Sequence, residues 1–233
     1  MKLSVAMAAY NGEKYIKEQI DSIMCQIGMD DELCISVDPS TDETYRICNK
    51  MSEEDPRIKV SMGLGRGVKT NFEQAIKMCT GDIIFLSDQD DIWESNKIMD
   101  VLTCFIDTGA LLIVHDAMVC NDDCSRALIP SYFKYRGSKP GTMANIAKNS
   151  YMGCCMAFRA ELVPYCLPIP ESVPMHDQWI GLVAERKGDV HFLNKQLIKY
   201  RRHSNNATDI THSEVGNMMK WRIAILNALM KVK

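Results

Sequence analysis

Along the first half of the chain, apolar residues gather in short unbroken runs, and between the runs they recur every three to four positions. The runs at 3–8, 33–37, 58–62, 83–86 and 111–114 predict strands buried on both faces, because a strand covered on both sides need not alternate. Residues 13–26 place Ile16, Ile20, Ile23 and Met24 on one face of a predicted helix. Ser40 to Glu43 has the Ser-x-x-Glu spacing of a capping box, predicting a helix from there to about residue 51. Further helices are predicted at 69–78 and 96–106. Strands separated by crossover helices imply right-handed parallel connections, hence a mostly parallel α/β sheet with helices on both faces.

The rhythm breaks after Asp116. Residues 121–147 mix Asp, Pro, Gly and basic residues and read as a long excursion over the functional face. The apolar stretch 151–158 follows, then a turn carrying Pro164, Pro168, Pro170 and Pro174. A helix over 177–186 and short strands near Val190 and Ile198 complete one domain, residues 1–212. Residues 213–233 are expected to form a C-terminal basic amphipathic helix. It holds Lys220, Arg222, Lys231 and Lys233 among Met218, Trp221, Ile225, Leu226 and Leu229. Such a helix either caps the core or lies on an anionic membrane surface.

In doubly wound sheets, ligands bind outside the carboxyl ends of the strands, which directs attention to the loops at 9–12, 38–42 and 87–93. The last belongs to GDIIFLSDQDDIW, residues 81–93, where an apolar strand runs into Asp88, Asp90 and Asp91. Three carboxylates this close repel one another. Hard cations such as Mg²⁺ and Mn²⁺ take oxygen ligands, commonly one or two carboxylates plus substrate phosphates. In an extended segment Asp88 and Asp90 point the same way and Gln89 the other. A solvated polar turn is the competing reading.

Composition narrows the choice. A chain of 233 residues with 46% apolar content supports a sizeable core, and a formal charge of -3 gives no general attraction for nucleic acid. Ten cysteines lack metal-binding spacing and read as reduced thiols. The opening run is too short for a signal peptide and nothing reaches membrane-spanning length, so a cytoplasmic protein is expected, with the tail allowing peripheral contact at the inner face of a membrane.

The segments SVAMAAYNGEKYIKEQIDSI, ISVDPSTDET, GVKTNFEQAI, GDIIFLSDQDDIW, HDQW and YRRHSNN occur in the order and spacing of family 2 glycosyltransferases. As a set they resemble the bacterial rhamnosyltransferase-like branch over about residues 3 to 206. The resemblance implies a GT-A fold, a dTDP-, UDP- or GDP-linked sugar donor, a Mn²⁺ or Mg²⁺ ion, and a carbohydrate or lipid-linked acceptor. It places Ala9, Tyr10, Asn11, Glu13, Asp38, Lys69, Asn71, Asp88, Gln89 and Arg201 at the donor, with Arg202 a further diphosphate candidate. Asp88, Asp90 and His203 are implied metal ligands, and Asp177 is the implied base of an inverting transfer. Asp116, preceded by His115, joins His176 and Trp179 on the acceptor side. Where the family reads Asp-Asp-Gly-Ser, this chain has Val37-Asp38-Pro39-Ser40. Asp177 also suits a helix N-cap. A catalytically silent nucleotide-sugar binder is the rival from another class; a nucleotidyltransferase would need a glycine-rich basic loop that AAYNGEKY lacks.

Overall fold

The structure is a computed structural model that describes residues 1–203 and 215–232, without the side chains of 215–218. The first half alternates as β1 (Leu3–Ala9), α1 (Ile16–Met24), β2 (Glu32–Val37), α2 (Thr44–Glu54), β3 (Ile58–Met62), α3 (Val68–Met78), β4 (Ile83–Asp88), the short β5 (Ile92–Trp93) and α4 (Lys97–Thr108). Then come β6 (Leu112–Cys120), β7 (Ala127–Ile129), α5 (Tyr132–Arg136), α6 (Thr142–Ala147), β8 (Met156–Arg159), α7 (Val163–Cys166), α8 (His176–Lys187), β9 (Val190–Arg201) and α9 (Val215–Leu229).

The strands form one sheet in the order β3-β2-β1-β4-β8-β6-β9-β5, with β7 on β6. Pairs β1–β2, β1–β4, β2–β3 and β6–β9 are parallel. Strand β8 inserts antiparallel between β4 and β6. All seven residues of β1 and all six of β2 are buried. Since alternate side chains point to opposite faces, both faces of the sheet are covered there, as the unbroken apolar runs predict. All three predicted ligand loops leave this sheet at the carboxyl ends of β1, β2 and β4.

Three local expectations change. No capping box forms: α2 begins at Thr44, and its N-cap makes no side-chain hydrogen bond. Ser40 instead accepts the Asn11 N–H (3.1 Å) and donates to the Asp38 carbonyl (2.9 Å), tying two ligand-edge loops together. The two strands expected near Val190 and Ile198 are one strand, β9, interrupted in register rather than in chain direction. Strand β6 runs on to Cys120 because its outer half pairs with β9 and β7.

The length of β9 matters for the site. Its far end pairs antiparallel with β5, Ile92 opposite Lys199 and Trp93 opposite Ile198, so Arg201 and His203 arrive beside the Asp-rich turn. Helix α9 packs back onto the domain. Ile225, Ala228 and Leu229 are buried, Arg222 donates to the Ala147 carbonyl (2.6 Å), and Arg186 donates to the Val232 carbonyl (3.1 Å). Among the described residues, no helix is long and apolar enough to cross a membrane.

Candidate active site

A cleft of about 690 Å³ opens at the carboxyl edge of the sheet. Ala9 and Tyr10 at the end of β1, Asp38 after β2, Asn71 on α3, and Asp88, Gln89 and Asp90 at the end of β4 line it. So do His176 and Asp177 at the start of α8, Tyr132 and Arg136 of α5, Asn149, and Trp221, Arg222 and Ile225 of α9. Residues distant in sequence therefore meet in one concavity.

The loops that build the cleft are locked to one another by hydrogen bonds from side chains to backbone groups. Gln89 makes a reciprocal pair with Tyr10, its Oε1 accepting the Tyr10 N–H and its Nε2 donating to the Tyr10 carbonyl, both at 2.8 Å. A side chain expected to point away from the ligand cluster is a clamp between the β1 and β4 loops. Asn71 donates to the Ala9 carbonyl (3.0 Å), and its buried Oδ1 has no partner. Asp38 accepts the N–H groups of Gly65 (3.0 Å) and Gly67 (3.2 Å). A Cβ at Gly63 would lie 2.3 Å from an Asp38 oxygen, so this β3–α3 loop must carry glycine there.

The carboxylates after β4 divide the work. Asp88 and Asp90 line the cleft, as an i, i+2 pair should. Asp91 is fully buried behind them: one oxygen accepts the Arg201 N–H (3.1 Å) and the other has no partner. Asp90 Oδ2 lies 2.9 Å from His203 Nε2, and that imidazole stacks on Tyr15. Burial, reinforced by the charge of Asp90, pushes the Asp88 carboxyl up to about 7 and holds Asp91 well above the usual range. Ligand atoms of Asp88, Asp91 and Cys154 lie within 4.8 Å of one another. The Cys154 thiol is pushed up by its own burial. Behind this cluster the buried Lys97 donates to the Cys154 carbonyl (2.9 Å), and burial lowers it to about 8.

Asp177 is buried and sits one residue inside α8, whose N-cap is Met175. The expected capping alternative is therefore not its role. Burial pushes its carboxyl up to about 6, against hydrogen bonds from the Gln178 and Gly153 N–H groups and the Asn149 side chain that lower it. His176 beside it stacks on Phe72 at 4.0 Å, and neither ring nitrogen has a partner. Burial brings this imidazole down to about 3, so it is neutral.

Several predicted ligand residues are instead struts. Arg201 is buried outside the cleft lining, and its guanidinium donates to the Asp90 and Asp122 carbonyls and to Glu18. Its neighbour Arg202 lines the cleft. Lys69 donates to the Glu171 and Val173 carbonyls, holding the proline-rich loop. Asn11, at φ +47°, accepts the Thr41 N–H (2.9 Å), and Glu13 accepts the Glu43 N–H (2.9 Å). Both join the β1 and β2 loops rather than line the cleft.

The acceptor-side expectations for Asp116 and Trp179 fail for a similar reason. Asp116 is mid-strand and buried, and it accepts from the Ala117 and Phe133 N–H groups, Ser131 Oγ and Gln196 Nε2. Its carboxylate fastens the excursion to β6. His115 is likewise buried, its Nδ1 2.8 Å from the Asp116 carbonyl. Trp179 donates to the Cys166 carbonyl (2.8 Å) on the far side of α8. Sequence reasoning did not reach Tyr132, Arg136 or Asn149, which arrive from the aperiodic excursion and the segment after it.

The fold agrees with known proteins. A model of glycosyl transferase family 2 matches residues 4–165, and the chain belongs to that family. It is 28% identical over 215 residues to a dTDP-rhamnosyl transferase, RfbG of Shigella flexneri, covering 86% of this chain and 72% of that protein. It is 30% identical over 113 residues to a chondroitin synthase of Pasteurella multocida, covering 48% of this chain but 12% of that much longer protein. Among solved structures, S. aureus TarS 1-349 with UDP-GlcNAc superimposes with a TM-score of 0.78 at 19% identity, over 100% of this chain and 68% of that one. A Mycobacterium tuberculosis glucosyl-3-phosphoglycerate synthase with Mn²⁺, UDP and phosphoglyceric acid gives a TM-score of 0.61 at 18% identity, over 100% and 79%. The shared architecture is the GT-A fold.

Proposed function

We propose that the protein is an inverting, metal-dependent glycosyltransferase that moves a sugar from a nucleoside diphosphate to a carbohydrate or lipid-linked acceptor. The observation that carries this reading is the placement of Asp88 and Asp90 in the same cleft as the buried, pKa-raised Asp177. The donor's base and ribose would occupy the end walled by Ala9, Tyr10, Asp38 and Asn71. The orphaned Asn71 Oδ1 is an acceptor waiting for a ligand donor. The similarity to RfbG favours a dTDP-linked deoxyhexose, and TarS supports the broader class of nucleotide-sugar donors.

The residues present suit a divalent cation. Asp88 and Asp90 supply oxygen donors, His203 adjoins Asp90, and Asp91 lies buried behind them with one oxygen unpartnered. A bound Mn²⁺ or Mg²⁺ would neutralise the diphosphate as it leaves. The chain's own contribution is the rest of the chemistry. Asp177 accepts the proton of the acceptor hydroxyl as that oxygen attacks the anomeric carbon. The bond to the diphosphate breaks on the opposite face, inverting the configuration. A carboxyl poised near 6 is ionised at neutral pH yet more basic than an ordinary aspartate, which suits it to that task. The neutral His176 ring offers a hydrogen bond without adding a charge.

Thermal melting with a panel of dTDP-, UDP- and GDP-sugars plus Mn²⁺ tests the donor assignment. A ligand of the folded state raises Tm with its concentration, by about 2.7 kcal/mol of stability at a hundredfold excess over Kd. One base should stand out from the others. A flat response to every donor, with and without Mn²⁺, would remove the donor site.

A further inference from the structure

Helix α9 is apolar on two sides. Its inner side buries Ile225, Ala228 and Leu229 against the domain. On the outer side Met219, Ile223, Leu226 and Met230 remain 57%, 53%, 39% and 71% exposed. Their spacing of four, three and four residues sets them within an arc of about 60°, one continuous stripe facing solvent. Monomeric proteins seldom leave such a stripe uncovered.

Charge indicates what covers it. From Val215 to the end of the chain there is no acidic residue, whereas Lys220 and Lys231 border the stripe on one side and Arg222 on the other. Helix α6 packs against α9, with Ala147 accepting the Arg222 hydrogen bond, and α6 exposes Met143. It belongs to a second acid-free tract, residues 124–160, that carries Arg126, Lys134, Arg136, Lys139, Lys148 and Arg159. Two adjoining cationic, acid-free segments in a chain of net charge -3 form a local exception. A second copy of the chain fits poorly. A two-fold contact through the stripe would set these cations against their own copies with no acid between them. An apolar stripe bordered by long cationic side chains is the pattern of a helix lying in a lipid interface, its ammonium groups reaching the headgroups.

We infer that the outer face of α9 seats the protein on an anionic lipid surface. Trp221, Arg222 and Ile225 of this helix also line the cleft, so the contact sets the cleft beside the membrane. A lipid-linked acceptor follows from this placement, a point that rests on the transferase reading; the lipid contact itself does not.

Co-sedimentation with phosphatidylcholine vesicles, with and without phosphatidylglycerol, tests the contact in the absence of donor and metal. Its failure would therefore leave the donor site untouched. Binding is expected to the anionic vesicles alone and to weaken with salt. Lys220→Gln and Lys231→Gln should each lower the partition coefficient about fivefold, the equivalent of about 1 kcal/mol per cation. Ile223→Ser with Met230→Ser should abolish binding while Tm is kept, because both side chains are exposed. Absence of binding to anionic vesicles, binding indifferent to these variants, or a dimer that the Ser variant turns into a monomer would each overturn the inference.

Discussion

Asp177→Asn is expected to lower turnover by about 10² to 10⁴, the usual worth of a general base, with donor affinity unchanged. The substitution keeps the volume and an oxygen able to accept the Gln178 N–H, so the start of α8 is preserved. It removes the proton acceptor, and its amide nitrogen cannot accept from the Gly153 N–H or the Asn149 side chain as the carboxylate does. The stability of the variant carries a second signal. Folding raises this carboxyl to about 6, so the native state favours the protonated form. The wild type therefore loses stability as pH rises from the unfolded value near 4 through 6, and the loss persists above that. Asn escapes this cost. Asp177→Asn should melt several degrees higher than wild type at pH 8, and the difference should close toward pH 4. In the wild type, the same ionisation should make turnover fall as pH drops through about 6. Near-normal turnover in the Asn variant, measured with saturating donor and acceptor, would end the assignment of Asp177 as base.

Arg201→Ala is expected to be the most destabilising single change at the site. The guanidinium satisfies the Asp90 and Asp122 carbonyls from a buried position, and its ion pair reaches α1 through Glu18. Glu18 is well exposed, so the ion pair itself contributes little. Most of the loss comes from the two carbonyls left without a donor, at about 1 to 3 kcal/mol each. A total near 3 kcal/mol corresponds to a Tm loss of roughly 6 to 12 °C in a chain of this size. Donor binding measured well below the melting range should weaken only as far as the Asp90 turn shifts. Arg202→Ala, which removes a cleft-lining cation, should weaken donor binding directly. An unchanged Tm for Arg201→Ala would show that the guanidinium is not a strut.

These two arginines also mark how far the sequence can be read. The order of strands and helices is legible, because unbroken apolar runs and helical spacing are local properties of the chain. So is the candidate cluster of Asp88, Asp90 and Asp177: acids at strand ends or before a helix fall at the carboxyl edge wherever the sheet is parallel. What a polar side chain touches is another matter. Arg201 and Arg202 are neighbours of the same type, and the pairing of β9 with β6, which sets Arg201 opposite Cys120, decides which one turns inward. Lys69 and Asp116 look like ligand contacts for their charge, yet Lys69 is consumed by the Glu171 and Val173 carbonyls and Asp116 by the Ala117 and Phe133 N–H groups and the Ser131 and Gln196 side chains. Trp179 lies on the opposite side of α8 from the cleft, which a motif spelled HDQW cannot indicate. The wall supplied by Tyr132, Arg136 and Asn149 is hidden in the sequence because residues 121–149 carry no periodicity to place them.

The central claim is a cation-supported donor site built on Asp88 and Asp90. Calorimetric titration of the best donor into the wild type and Asp90→Asn, each with and without Mn²⁺, tests it most directly. The wild type is expected to bind at least tenfold tighter with Mn²⁺, and Asp90→Asn to lose that enhancement while keeping its metal-free Tm. Donor binding that is indifferent to Mn²⁺ in the wild type, or an enhancement that survives in Asp90→Asn, would contradict it.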